Sequence, residues 1–595
     1  MKTAPKIIHS ETADNADQLA EQYELTPVIA QVLAARCREL SVSPEPLLTP
    51  SLANLHDPGK LPDIQPAVER LSAAIDAGEV IALETDHDVD GVSSHALLRD
   101  GLVRYFDVPL HRIRSFIGNR LTEGYGLSDP VADRILADPS GPSLVITADN
   151  GSTDAERIAR LKAAGVDVIV TDHHGMPAEG PPARAVACVN PARVSSEYPD
   201  PMIAGVCVAW LLLCQLRRYR IEQGQMPPDS PKLTELLDFV ALGTVADCVS
   251  MARSEQNRAL VRAGLAEINA QRRPAWRVAA AAIAGQGGPL VASDIAFSIG
   301  PRINARGRLD DAMAGVEFLM ADNDRDAGQW WHLLERENTK RKEVERELRD
   351  EAFVSARVMT ELGRRTMVIS FAKGHAGVHG IVASRVVEAT GRPTICFSQQ
   401  TGEPGILVGS CRGVPGMHMR DALERISEQH PGLIEKFGGH KGAAGLKVRT
   451  RNLQAFDEAF EREVSEQLGG RDLSPKVTVD AQLSLSQINQ KLLDDLKRLE
   501  PFGQEFPEPV FWTVAEVRDL RARGDGTHWQ LGMDDGTAYH SAMWFAAGED
   551  PPVAIGDQIE LAYSVSENWF RGVPRTQLRV STARKLETAP KTGAA

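Results

Sequence analysis

Asp86, Asp88 and Asp90 stand at alternate positions after the run Val80-Ile81-Ala82-Leu83-Glu84-Thr85, with Gly91 behind them. The run shows no helical period and reads as a buried strand. Carboxylates crowded at its end repel one another and lose hydration, so they require a compensating cation. Hard oxygen ligands in this pattern suit Mg²⁺ or Mn²⁺; read alone, the same stretch also fits a solvated acidic turn. The design recurs twice. Residues 143–148 run into Asp149-Asn150-Gly151, and residues 166–171 run into Asp172-His173-His174-Gly175. A further apolar run, 239–246, ends at Asp247. In an open parallel sheet the carboxyl ends of the strands share one edge, where ligands bind. The expectation is a two-metal centre, with acids and an imidazole converging from separate strand tips.

The elements that must hold these tips alternate strand and helix from residue 66, where a helix over 66–78 leads into the first strand, to about 215. Ahead of them, residues 1–50 read as an N-terminal extension carrying one amphipathic helix near 20–40. Gly124 and Gly126 around Tyr125 predict a tight loop at the rim of the site, beside Arg120. Arg302, Arg306 and Arg308 lie among small residues near Asn304. Such a cluster is either a solvated helix face or, beside a phosphodiester site, a clamp on the nucleic-acid backbone. Residues 322–361 alternate Glu, Lys and Arg without proline and with one early glycine, which predicts one long, mostly solvated helix between two lobes.

A second α/β lobe follows, with strands near 366–371, 393–398 and 405–409 and glycines crowded around His375, His379 and His440. Glycine at such density permits close backbone approach to a ligand. From about 470 the texture changes to short alternating strands and turns, which predict a small barrel. Trp529, Trp544, Trp569 and Phe570, with Arg571 and Arg575, belong either to its core or to a stacking surface for single strands.

Bulk properties narrow the function. At 595 residues the chain exceeds a single core. A net charge of −15 excludes a broadly basic coat, so binding a polyanion would need local basic patches and bound metal. Seven cysteines without a C-x-x-C pair read as free thiols of a reducing cytoplasm. No hydrophobic signal core is apparent, and the longest apolar stretch, from Ile203 to Cys214, is too short to span a bilayer.

Taken in order, Asp-x-Asp-x-Asp-Gly at 86–91, Asp-Asn-Gly at 149–151, Asp-His-His at 172–174 and Ala-Leu-Gly-Thr-Val-Ala-Asp at 241–247 resemble the DHH phosphoesterases. Over nearly the whole chain the pattern is similar to the single-strand-specific DNA exonucleases of that superfamily. The resemblance implies an α/β fold: an N-terminal extension (1–50), a parallel-sheet DHH catalytic domain (51–320), a linking helix (321–362), a smaller DHH-associated substrate lobe (363–465), an OB-like barrel (466–585) and a disordered tail (586–595). It implies 5′→3′ hydrolysis of single-stranded DNA, releasing 5′-mononucleotides, in recombination and in mismatch and base-excision repair. Two Mn²⁺ or Mg²⁺ ions would be held by Asp86, Asp88, Asp90, Asp149, His173 and Asp247, with Asp149 bridging. Which of the first three ligate directly stays open.

By the same resemblance His174 touches the scissile phosphate and Asp172 orients the histidine pair. Arg120, Arg302, Asn304, Arg308, Ser384, Arg385 and His440 contact substrate, while Ser410 and Arg412 line a pocket for the terminal 5′-phosphate. Trp529, Trp569 and Phe570 would stack on the strand. A single-strand-binding protein and a helicase are the implied partners, with no membrane. The competing readings are a phosphodiesterase for short oligonucleotides and a non-catalytic replication scaffold.

Overall fold

The computed structural model describes residues 5–119, 122–283, 287–309, 312–400 and 402–586, apart from the side chains of residues 308, 309 and 570. The first strand, β1 (Lys6–His9), belongs to the barrel end of the molecule and is taken up below. The first α/β domain is built on β2 (Ile81–Thr85), β3 (Ile113–Ile117), β4 (Leu144–Ala148), β5 (Asp167–Thr171) and β6 (Ala187–Val189). They form one parallel sheet in the order β3-β2-β4-β5-β6. The chain leaves β2 for β3 on one side and returns to β4 on the other. That reversal opens a crevice beyond the carboxyl ends of β2 and β4, where ligands of open α/β sheets bind. β2 and β4 are buried at every position, which explains why apolar residues dominate them, Glu84 being the one acid enclosed in β2.

Helices Val89–Phe106 and Gly205–Glu222 pack on this sheet, and Leu237–Ala246 packs on both of them. The last of them corrects an expectation. Asp247 does not arrive from a strand tip; it follows a helix whose residues 237–245 are all buried. A helix enclosed on all sides is apolar all round, and its sequence cannot be told from a buried strand by period alone.

The 38-residue helix Asp324–Glu361 leads to the second lobe. Its strands are β7 (Met367–Phe371), β8 (Thr394–Gln399), β9 (Ile406–Arg412), β10 (Lys436–Gly439) and β11 (Ala443–Arg449), in the order β10-β11-β9-β8-β7. The long helix is less solvated than its charges suggest, because Trp331, Leu334, Leu348, Ala352 and Ala356 form a buried stripe.

The remaining strands are β12 (Lys476–Val479), β13 (Ala481–Gln482), β14 (Phe511–Arg523), β15 (His528–Asp534), β16 (Tyr539–Trp544), β17 (Gln558–Phe570) and β18 (Val573–Lys585). The order β13-β14-β15-β16-β18-β17 closes through a β14–β17 pairing, giving the OB-like barrel. β1 pairs in parallel with β12. The N-terminal segment is therefore fastened to the barrel end of the molecule. Its expected single helix is two, Ala16–Tyr23 and Pro27–Leu40, because Glu24 turns left-handed (φ 53°) and Pro27 starts the second. Arg36 then bonds Asp480 at 2.9 Å and lies 4.9 Å over the Phe506 ring. Residues 587–595, which make up the expected tail apart from Leu586, lie outside the described residues.

A candidate metal centre at the sheet crevice

Each acid at the crevice is aimed by backbone that the local sequence dictates. Asp88 caps the helix Val89–Phe106, its carboxylate accepting from the N–H groups of Asp90 (2.9 Å) and Gly91 (3.1 Å). Residue 91 must be glycine: a Cβ there would lie 2.2 Å from the Asp86 carbonyl oxygen. Asp90 reaches across to the helix Gly205–Glu222, and both its oxygens accept from that helix's first N–H groups, Gly205 at 2.7 Å and Val206 at 3.0 Å. Gly205 and Gly243 are obligatory in the same sense, since a Cβ on either would meet Asp149 or Asp90 at 2.9 Å or less. Asp149 sits in the left-handed region (φ 65°), which turns its side chain back over the crevice.

His173 closes the cluster. Its Nε2 lies 3.1 Å from Asp149, 3.6 Å from Asp247 and 3.9 Å from Asp90. Asp172 accepts from the N–H groups of His173 (2.8 Å), His174 (3.1 Å) and Ser152 (3.0 Å), and from the His174 ring at 2.8 Å. Tyr125 places its hydroxyl 3.3 Å from the Asp149 carbonyl oxygen and 3.3 Å from His174 Nε2. The sequence pointed to the Tyr125 loop as a rim but not to this contact, which depends on chain segments far apart.

The electrostatics follow from burial and crowding. Burial and the neighbouring acids push Asp90 up to about 7 and Asp247 up to about 9, and carry Asp149 well above the carboxylate range. Burial, with the charge of His174 beside it, holds His173 down to about 4, so its ring is neutral and ready to ligate. Burial opposes protonation of His174 too, yet the bond to Asp172 and the charges of Asp172, Asp247 and Asp86 together outweigh it and lift that imidazole to about 9. Asp172 itself is buried, but its bond to His174 leads a set of contacts that hold it well below its usual value.

The donor set fits hard divalent cations. Three groups of ligand atoms lie within 4.8 Å of one another: Asp86, Asp88 and Asp149; Asp90, His173 and Asp247; Asp149, His173 and His174. Asp149 belongs to two of them, as a bridging residue would. Asp86 Oδ1 is buried and lies 2.8 Å from Nδ1 of the buried His87, which holds the carboxylate at the crevice. Carboxylates mixed with imidazole suit Mn²⁺ or Mg²⁺.

The second lobe contributes a separate group. Ser410 and Arg412 share the half-exposed face of β9, opposite the buried Leu407, Gly409 and Cys411. The Arg412 guanidinium packs on Gly380, where a Cβ would stand 2.6 Å from its nitrogen. His440, in the β10–β11 turn, is lowered by partial burial and by the charges of Arg412, His418 and, from the catalytic domain, His174. His440 thus lies within electrostatic reach of both Arg412 and His174.

Several of the other expected contact residues make contacts within the protein. Arg302 pairs with Glu335, donates to the Ser298 carbonyl at 2.7 Å and stacks 5.2 Å over Trp331. Asn304 has its carbonyl oxygen buried without a partner among the described residues. Ser384 bonds the Gly380 carbonyl at 3.0 Å, and Arg385 pairs with Glu388 at 2.9 Å. Trp529 donates to the Gly548 carbonyl at 2.8 Å. Trp569 packs so closely on Gly288 that a Cβ there would sit 2.6 Å from the indole. Arg120 and the side chains of Arg308 and Phe570 lie outside the described residues.

A parallel sheet with aspartates and an Asp-His-His tip at its crevice, followed by a second α/β lobe, defines a metal-dependent phosphoesterase of the DHH class. Residues 80–244 match the family profile described as DHH family, N-terminal domain, and residues 364–466 match the DHHA1 domain. Residues 479–582 match the RecJ OB domain. The single-stranded-DNA-specific exonuclease RecJ of Haemophilus influenzae is 35% identical over 547 residues, covering 90% of this chain and 93% of that one. RecJ of Escherichia coli is 34% identical over 590 residues, covering 96% and 98%. The crystal structure of RecJ in complex with Mn²⁺ from Thermus thermophilus superposes with a TM-score of 0.78 at 28% identity, covering 99% of this chain and 81% of that one. A Mg²⁺ complex of the same protein superposes with a TM-score of 0.72. The chain belongs to the RecJ family.

Proposed function

We propose that this chain is a single-stranded-DNA exonuclease that works from 5′ ends and releases 5′-mononucleotides, with Asp86, Asp88, Asp90, Asp149, His173 and Asp247 holding two Mn²⁺ or Mg²⁺ ions. The convergence of these side chains from four strand and helix ends carries the reading. Such ions, when bound, supply an activated water and neutralise the phosphate and leaving oxygens.

The chain's own residues prepare that chemistry. Backbone N–H groups fix the carboxylates of Asp88 and Asp90 before any ligand arrives, so little reorganisation remains. Asp172 holds the ring of His174, which keeps its proton at neutral pH and can donate to a non-bridging oxygen of the scissile phosphate. Tyr125 flanks the same ring.

Across the cleft, Ser410 and Arg412 offer a hydroxyl and a guanidinium to a terminal 5′-phosphate, and a guanidinium matches phosphate bidentately. A terminus held there would set direction, and the barrel would deliver single strands. Among the described residues no helix is long and apolar enough to cross a membrane, and all seven cysteines are free. Both fit the expected cytoplasmic setting in recombination and repair, where a helicase and a single-strand-binding protein would present the substrate.

The test is digestion of long single strands labelled at either end, with and without chelator. Early release of the 5′ label as mononucleotide, abolished by chelator, is expected. Early release of the 3′ label would overturn the polarity. Activity confined to the shortest oligonucleotides would favour the oligonucleotide phosphodiesterase instead.

A further inference from the structure

The outer face of the long helix Asp324–Glu361 carries a feature that nuclease chemistry does not use. Val354, Val358 and Leu362 recur every fourth residue, which aligns them along one side, and they are 69%, 51% and 74% exposed. The helix cannot roll to hide them. Its opposite side is fixed, with Leu348, Ala352 and Ala356 buried against Met367, Val378 and Val382 of the second lobe. Exposed apolar side chains scattered singly are ordinary, but a stripe at helical spacing forms a contiguous surface.

The rim of the stripe is acidic. Glu347 and Glu351 stand two turns and one turn before it and Glu361 stands within it, all exposed. Among the described residues no ion pair engages any of the three, whereas Glu345, on the side facing the second lobe, pairs with Arg341 at 2.6 Å. Among the described residues Arg357 is the one cation close to the centre of the stripe. An apolar seam edged with unpaired carboxylates repels nucleic acid. It also disfavours a second copy of this chain, because two such faces would bring like charges together.

We propose that this face docks a basic amphipathic helix of a partner protein, apolar anchors on Val354, Val358 and Leu362 and lysines or arginines on the carboxylates. Helices that lie on an apolar seam present anchors at i, i+3 or i+4 and i+7. Three small anchors make the contact weak and transient. It lies on the helix joining the two lobes, so a partner could be held there without covering the crevice.

The probe is a fluorescent synthetic peptide of about 18 residues, with leucines at that spacing and lysines elsewhere, titrated into the full-length chain. Saturable binding is expected, weakening with added salt. Two variants, one carrying V354S, V358S and L362S and the other E347K, E351K and E361K, should each weaken binding by about tenfold or more. Both should degrade single-stranded DNA at the unmodified rate, which also reports that they fold. A scrambled peptide of equal composition should bind about tenfold more weakly as well. Binding unaffected by either variant would overturn the proposal, because the peptide would then be reading the chain's general negative charge. So would sedimentation showing a dimer that only the apolar variant dissolves, since the occupant would then be a second copy.

Discussion

His173 Nε2 and Asp149 Oδ1 stand 3.1 Å apart at the head of the crevice, where two adjacent strands end. One imidazole and one carboxylate thus meet at the point shared by the overlapping ligand groups. Asp149→Asn removes the charge while keeping a residue that tolerates the left-handed backbone, φ 65°. Hydrolysis of single strands in Mn²⁺ or Mg²⁺ should fall by about a thousandfold or more, corresponding to several kcal/mol of transition-state stabilisation. Circular dichroism should show an intact fold. Digestion at near the unmodified rate would mean that the active centre lies elsewhere.

Without cations the crowded acids hold protons. Burial and like charge lift Asp90 to about 7 and Asp247 to about 9, so at neutral pH the metal-free cluster is partly protonated. Metal binding must displace those protons. Titrating Mn²⁺ into metal-free protein at about pH 7, in two buffers of different ionisation enthalpy, should reveal release of about one proton or more. The sign fixes a second outcome: affinity should weaken as pH falls, because protons and cations compete for the same oxygens. Heats independent of the buffer would contradict the coupling.

How far this arrangement was legible in the sequence depended on periodicity. Residues 81–85 and 144–148 are buried at every position and 167–171 at all but Asp167, so their mostly apolar runs and the acids that follow them were readable directly. Asp247 was misplaced onto a strand tip because a helix buried on every side, Leu237–Ala246, carries the same unbroken run. The N-terminal helix was drawn too long because nothing in Glu24 or Leu25 announces a left-handed turn. Contacts between distant segments were invisible. Tyr125 against Asp149, Arg302 against Glu335 and Trp569 against Gly288 each join residues at least 24 positions apart, and no local pattern encodes them.

Arg412 tests the direction of attack. Its guanidinium rests on Gly380 and shares the half-exposed face of β9 with Ser410, toward His440. Arg412→Ala should lower cleavage of 5′-phosphorylated strands by about tenfold to a hundredfold, the cost of one charge-assisted phosphate contact. Strands with a 5′-hydroxyl should lose little, since they offer no dianion to bind. Parallel rate measurements on the two substrates decide the matter: an equal loss on both would remove the phosphate pocket from the mechanism.

Glu500, just after the helix Gln490–Arg498, provides a stability test far from the chemistry. Burial lifts its carboxyl from 4.5 to about 7, and Lys497 only partly offsets this. The folded state therefore binds the proton more tightly than the unfolded chain. The stability linked to this group is fully present below about pH 4.5 and is lost as pH rises through about 7, because folding then confines a charge that water would solvate. Glu500→Gln fixes the side chain in its neutral form. At about pH 8 the variant should gain up to about 3 kcal/mol over the unmodified protein, and most of that advantage should vanish near pH 4.5. Urea midpoints at the two pH values measure the difference directly. A Glu500→Gln offset of the same size at both would show that this carboxyl ionises in the folded chain as freely as in the unfolded one.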